Sequence, residues 1–294
     1  MNNLIALVGP TASGKTDLAI ELAKEFDGEI VCADSRTVFK GMDIGTAKPG
    51  PEQLLQIKHH LLDIVEPGQT LGAAEFKRLA DLVIKDIQSR GKLPFLVGGS
   101  GLYIDAILYD FQFPAVADPA LRQSLEALDN DQLLERLESV DPEAAAAVDQ
   151  HNRRRLIRAI ETAGQPRSRS NLRPGTLLLG LRVNQAVLQN RITTRVDNML
   201  AKGFLKEVQK IGSDFGWDSE AMTSIGYRAF KDVIVGQKSI DAAKADFVRG
   251  DLMLAKKQMT WFKRNPDILW MEADNPKQTL REALTRVKEF MASS

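Results

Sequence analysis

The chain is predicted to fold as an α/β protein, a parallel sheet interrupted by an all-helical insertion domain. Three observations predict it. A short apolar run at residues 4–8 leads into Gly9-Pro10-Thr11-Ala12-Ser13-Gly14-Lys15-Thr16, a glycine-framed turn closing on Lys-Thr. Apolar runs of strand length recur at 29–33, 59–65 and 93–97, separated by segments with helical period. From 118 to 163 only helical patterns remain, and a strand pattern returns at 177–183. The expected division is a P-loop NTPase-like core at 1–117, a helical insertion at 118–174, and a second part of the core with C-terminal helices at 175–294.

Each element has a local reason. Glycines at 9 and 14 let the backbone turn tightly, so that several N–H groups point inward, and the helix opening at Lys15 adds the positive end of its dipole. An anionic phosphate chain fits such a turn. Lys15 is placed to meet the terminal phosphate oxygens, and the Thr16 hydroxyl to hold Mg²⁺. An amphipathic run follows at 17–26, then the strand at 29–33, ending at Asp34. The long segment 35–49 has no clean period and reads as loop. Residues 73–90 repeat Phe76, Leu79, Ala80, Val83, Ile84 and Ile87 at the spacing of a helix with one buried face. The strand at 93–97 closes on Gly98-Gly99-Ser100-Gly101-Leu102-Tyr103. After the insertion, helix is expected over 186–211, 240–262 and 277–291, with a short strand at 268–271.

Composition bounds the rest. The chain has 294 residues, 44% hydrophobic and 27% charged, and no apolar run long enough to cross a bilayer. The first strand is expected to leave no room for a signal peptide, and cytoplasm is the expected compartment. The single cysteine, Cys32, excludes an internal disulfide and reads as a buried thiol. Net charge is zero but unevenly spread: residues 115–150 hold nine acids against two arginines, and 151–174 hold seven arginines (153, 154, 155, 158, 167, 169 and 173) against one glutamate. That second stretch is either a solvated face or a phosphate-binding one.

A P-loop says only that phosphate is held. Common P-loop NTPases add an acid to organise Mg²⁺, yet the strand at 93–97 ends in glycines and serine. The carboxylate stands at Asp34 instead. If its strand neighbours the P-loop strand, Asp34 faces the terminal phosphate and can act as general base; the alternative is an Asp capping the next turn.

Asp34-Ser35 followed by Gly41-Met42-Asp43-Ile44-Gly45-Thr46-Ala47-Lys48-Pro49 resembles a signature of the tRNA dimethylallyltransferases. The resemblance extends in order through His60-Leu61-Leu62-Asp63-Ile64, Val97-Gly98-Gly99-Ser100-Gly101-Leu102-Tyr103, Ile225-Gly226-Tyr227-Arg228 and Ala255-Lys256-Lys257-Gln258-Met259-Thr260-Trp261-Phe262. It implies that the phosphate held is that of dimethylallyl diphosphate and that the acceptor is the N6 amine of the adenosine 3′ to a tRNA anticodon. It further implies that Asp34 deprotonates the amine, with Ser100 either a hydroxyl near the reacting atoms or a turn residue. The P-loop amides, Lys15, Thr16 with Mg²⁺ and Arg228 then neutralise the leaving diphosphate. Ser35, Arg36 and Thr37 become contacts to the flipped base, Lys256 and Gln258 parts of the tunnel, and Arg153, Arg154, Arg155 and Arg158 contacts to phosphates of the anticodon stem-loop. A monomer is expected.

Leu252 stands where the family usually has Arg, Thr37 where it often has Gln, and Asp110 where it usually has Gly. On the same late helix, Leu252, Met253 and Trp261 are expected in the core. His59 and His60 lack a third ligand and read as packing residues. A P-loop kinase and an RNA-binding module with a vestigial P-loop are the competing readings. Donor binding separates the first, and the presence of Lys15, Thr16, Asp34 and Arg228 argues against the second.

Overall fold

A computed structural model describes residues 3–113, 118–163 and 170–293. The chain divides into two compact units, one comprising Met1–Tyr109 with Asn171–Ser294, the other Asp110–Ser170.

The first unit is built on a six-stranded parallel sheet. Its strands are β1 (Leu4–Val8), β2 (Gly28–Ala33), β3 (His59–His60), β4 (Leu93–Gly98), β5 (Thr176–Arg182) and β6 (Leu269–Glu272), in the spatial order β3-β2-β4-β1-β5-β6. Strands β1, β2 and β4 are buried at every residue, as a sheet covered on both faces demands of its central strands. Ile5, Leu7, Ile30, Cys32, Phe95, Val97 and Leu179 form one core with Leu18, Ala19 and Leu22 of α1 (Lys15–Glu25) and Ala283 and Val287 of α13 (Pro276–Ser293). Each such fully buried aliphatic side chain contributes roughly 1.5–3 kcal/mol.

A second core lies beyond the strand ends. Val38, Phe39, Met42 and Val65 pack with residues of α9 (Gln185–Ala201), α10 (Phe204–Phe215), α11 (Ile225–Ile234) and α12 (Ile240–Phe262). Its centre is aromatic: Phe204 meets Tyr227 edge-on at 5.2 Å and Phe230 at 5.6 Å. Two further helices, α3 (Ala73–Ser89) and α4 (Gly101–Leu108), flank β4, and the short α2 (Pro51–Gln56) precedes β3.

Several expectations change. Strand β2 pairs with β3 and β4, so the strand ending at Asp34 does not neighbour the P-loop strand; β4 lies between them. The strand expected over 59–65 is two residues long, because Leu61 and Asp63 take positive φ of 63° and 55° and turn the chain away from β2. The helix expected over 186–211 is two helices broken at Gly203, whose φ of 94° suits only a residue without a side chain to clash. The last strand runs Leu269–Glu272, one residue later than expected.

The second unit is all helical: α5 (Pro119–Glu126), α6 (Asn130–Val140), α7 (Pro142–Ala147) and α8 (Arg153–Glu161), around Leu125, Leu133, Leu137, Leu156 and Ile157. Three of its acids explain themselves as helix caps. Asp118 accepts from Ala120 N–H at 2.9 Å, Asp129 from Gln132 N–H at 2.9 Å, and Asp141 from Ala144 N–H at 3.0 Å. The unit spans Asp110–Ser170 rather than 118–174. The chain beyond it already belongs to the core, for Arg173 N–H donates to the Leu108 carbonyl at 2.7 Å and Leu4 N–H to that of Gly175 at 2.9 Å.

Candidate functional site

The P-loop leaves β1 and winds through Ala12 (φ 59°) and Gly14 (φ 85°) into α1. Thr11 to Thr16 line a cavity of about 700 Å³, whose other walls include Asp34, Thr37, Thr46, Ala47, Arg191 and Arg195. Gly9 and Pro10 back the turn, the Pro10 carbonyl accepting the Lys15 ammonium at 3.1 Å. Ser13 Oγ is buried without a partner, a polar atom aimed at no group of the described protein. Desolvation holds the Lys15 ammonium down to about 8; the Asp34 carboxylate opposes that shift and Arg195 adds to it. Such a lysine recovers its ordinary basicity when an anion arrives.

A second cavity of about 500 Å³ is lined by Ser35, Arg36, Ser100, Tyr103, Lys257, Gln258 and Trp261. Thr11, Asp34, Thr46, Ala47 and Arg195 line both, so the two adjoin along these residues, Asp34 among them. The arrangement suits two reactants that meet at the shared wall.

Strand β4, beside β1, is where an acid would be expected, and its last residue shows why none is there. A Cβ on Gly98 would lie 2.0 Å from the Ala33 carbonyl oxygen of β2. The close approach that forbids a side chain at Gly98 delivers Asp34 to the rim. Asp34 Oδ1 accepts from Arg36 N–H at 2.8 Å, so it caps its own turn and has its carboxylate oriented by the same bond. Ser100 Oγ accepts from Ser35 N–H at 3.0 Å, tying the ends of β2 and β4. Gln258 clamps a second pair of segments: its Oε1 accepts from Thr11 N–H at 2.8 Å and its Nε2 donates to the Gly99 carbonyl at 3.0 Å.

Other expected residues fall elsewhere. Ser35 and Arg36 line the second cavity, but Thr37 is buried against the first. The Arg36 guanidinium donates to the Glu220 carbonyl at 3.4 Å. Arg228 is exposed on α11 and lines neither cavity, because Gly226, Tyr227 and Phe230 take the buried face of that helix. Lys256 is exposed and lines a separate groove behind Pro10, whereas its neighbour Lys257 reaches the second cavity. Trp261 and Met253 are 41% and 56% exposed, not core. The indole N–H of Trp261 donates to Asp105 at 2.9 Å, and its ring covers Gly101. His60 Nε2 pairs with Glu29 at 2.7 Å; His59 Nδ1 bonds to the Ile57 carbonyl at 2.8 Å, while its Nε2 is buried without a partner and the residue lines the first cavity. Cys32 is buried, its thiol pushed up to about 12 by desolvation and then by Asp34.

Arg195 is the cation that the sequence left unassigned. It pairs with buried Asp251 at 2.5 Å, yet its Nε is buried without a partner. A guanidinium donor left open in that way fits an anion spanning the junction. Arg191, one helical turn earlier, holds the P-loop instead, donating to the Ser13 carbonyl at 3.4 Å and that of Ala273 at 2.9 Å. The four-residue spacing of the two arginines was the one sequence signal for them.

Among the described residues no three His, Cys, Asp or Glu side chains are grouped to hold a metal. The Thr16 hydroxyl lines the first cavity and is the oxygen that would hold Mg²⁺, an ion that commonly completes its shell with phosphate oxygens and water.

In the helical unit the arginines of α8 differ in exposure. Arg153 donates to the Glu126 carbonyl at 2.8 Å, closing the end of α5, and Arg158 pairs with Glu161 at 3.2 Å. Arg154 and Arg155 are exposed. Arg167 and Arg169 lie outside the described residues, and Arg173 pairs with Asp81 at 3.3 Å in the first unit. No helix among the described residues is long and apolar enough to cross a membrane.

A family model described as IPP transferase matches residues 37–265. A tRNA dimethylallyltransferase of Geobacillus thermodenitrificans is 41% identical over 289 residues, covering 94% of this chain and 92% of its own. One of Staphylococcus aureus is 41% identical over 305 residues, covering 97% and 98%. Among solved structures, the full-length tRNA isopentenylpyrophosphate transferase of Bacillus halodurans matches with a TM-score of 0.77 at 35% identity, over 100% of this chain and 98% of that one. A eukaryotic dimethylallyltransferase acting on tRNA shares the fold, with a TM-score of 0.85 at 23% identity over 99% and 80%.

Proposed function

Because the chain belongs to the IPP transferase family, we propose that it moves the dimethylallyl group of dimethylallyl diphosphate to N6 of the adenosine immediately 3′ to a tRNA anticodon. The observation that carries this reading is the pair of cavities meeting at Asp34, one lined by the phosphate-binding loop and the other by polar and aromatic side chains.

The diphosphate sits among the P-loop amides, Lys15 and Arg195, with Ser13 Oγ as a further donor. The allylic C1–O bond breaks with its electron pair leaving on the diphosphate, so the cations aimed at that group stabilise the charge as it develops. The adenine enters from the second cavity, N6 attacks C1, and the Asp34 carboxylate takes the amine proton. An exocyclic amine is a poor nucleophile, its lone pair drawn into the ring, and a positioned base is worth about 10²–10⁴-fold. Thr16 would hold Mg²⁺, which supplies further neutralisation of the diphosphate when bound. Ser100 and Gln258 hold the strand ends and P-loop in register around these groups. Arg154 and Arg155, both exposed on α8, are assigned to stem phosphates.

The test is direct. Purified protein incubated with dimethylallyl diphosphate and an anticodon stem-loop should add one prenyl mass increment to one adenosine. Phosphate transfer from ATP to any acceptor, with no prenyl increment, would restore the kinase reading.

A further inference from the structure

The loop 41–49 is irregular, yet Thr46 and Ala47 belong to the wall that both cavities share. It is pinned from two sides. The buried Lys48 ammonium donates to the carboxylates of Asp43 and Asp63 and, at 2.6 Å, to the Phe39 carbonyl. The other anchor is Glu207 of α10. One of its oxygens accepts the N–H groups of Asp43 and Ile44, both at 2.9 Å; the other accepts that of Gly45 at 2.9 Å and the Tyr227 hydroxyl.

Three consecutive N–H groups converging on one point form a concave turn of partial positive charge that calls for an anion. Here the protein supplies it, and four donors match the acceptor capacity of one carboxylate. Gly45 is held so closely that a Cβ there would lie 2.2 Å from the Phe204 ring. Glu207 itself lines neither cavity.

We propose that Glu207 is a positioning residue for the transfer step, fixing the turn 43–45 so that Thr46 and Ala47 keep the junction around Asp34 and Arg195 in its reactive geometry. The inference rests on the function proposed above. It acts on alignment, not on affinity, since the P-loop and the second cavity keep their own contacts.

Glu207→Gln keeps the size but turns an amide N–H₂ toward donors it cannot satisfy. Hydrogen–deuterium exchange at Asp43, Ile44 and Gly45 should rise by about tenfold or more, as expected for a locally released turn. The single-turnover prenylation rate should fall on the order of 10–100-fold, the scale of a small misplacement of reacting groups. Dissociation constants for dimethylallyl diphosphate and stem-loop should stay within about threefold. Tyr227→Phe, which leaves all three backbone bonds, should stay within about threefold in rate and exchange. If Glu207→Gln does not fold, Glu207→Asp, whose shorter stem cannot reach all three N–H groups, carries the same measurements. Unchanged exchange, or raised exchange with a parental rate, would overturn the proposal, as would a Tyr227→Phe rate as low as that of Glu207→Gln. A parent protein that transfers no prenyl group refutes the function instead, while the exchange arm still reports whether Glu207 holds the turn.

Discussion

The cations of α1 and α9 and those of α8 look alike in sequence and differ in what they are bonded to. Lys15 is held below its ordinary basicity by burial, and Arg195 keeps a buried N–H without a partner. Arg153 and Arg158, from the densest arginine cluster in the chain, are engaged within the helical unit, one closing α5 and the other paired with Glu161. The contrast teaches that a run of charge says little about ligands. A buried donor without a partner says more, because the desolvation of that N–H is offset only when an acceptor reaches it.

The first way to break this contrast is Lys15→Ala. Turnover should fall about a thousandfold, the scale of a lost donor at a developing anion, while stem-loop affinity holds. A titration in which both affinities fall together would remove the division between the two surfaces. Asp34→Asn comes next. It keeps size and hydrogen bonding but cannot take the proton, so the single-turnover rate should fall on the order of a hundredfold with stem-loop affinity within a few fold. A near-parental rate would mean that Asp34 only orients its turn.

Acidity sharpens the same point. The free protein loses the Lys15 proton at about 8, and a bound diphosphate holds it on. Diphosphate affinity should therefore change little between pH 7 and 8 and weaken by up to about tenfold per pH unit above that range. Calorimetric titrations across pH 7–9 would show a flat profile if Lys15 were already an ordinary lysine. The smallest effect belongs to α8. Reversing charge at Arg154 and Arg155 together should weaken stem-loop binding and flatten its salt dependence by somewhat less than two in log–log slope. Arg153→Ala should leave that slope alone and lower the melting temperature slightly, by loss of a helix-end contact worth about 0.3–1 kcal/mol.

What the sequence revealed was what depends on neighbours in the chain. The P-loop was legible because its cavity is made by successive backbone groups, and Asp34 because an apolar strand ends there. The order of strands was not, since pairing joins residues far apart: nothing local places β4 between β1 and β2. Helix phase was legible but outweighed by resemblance. Tyr227 and Phe230 mark the buried face of α11, which turns Arg228 outward, and the same reading of α12 separates Lys256 from Lys257. Arg195 and Glu207 were hidden for a further reason. Their partners, Asp251 and the turn at 43–45, lie 56 and more than 160 residues away.

The bare end of β4 also sets what this scaffold can become. A carboxylate at Gly98 would have to displace the Ala33 carbonyl, and with it the last rung pairing β2 to β4. That rung is the support on which Asp34 stands. The acid that common P-loop ATPases place at this strand end and the carboxylate of Asp34, to which the proposed function gives the amine proton, are thus alternatives, not additions. One substitution at Gly98 therefore cannot add an acid to the end of β4 while leaving the end of β2, and the Asp34 that follows it, in position.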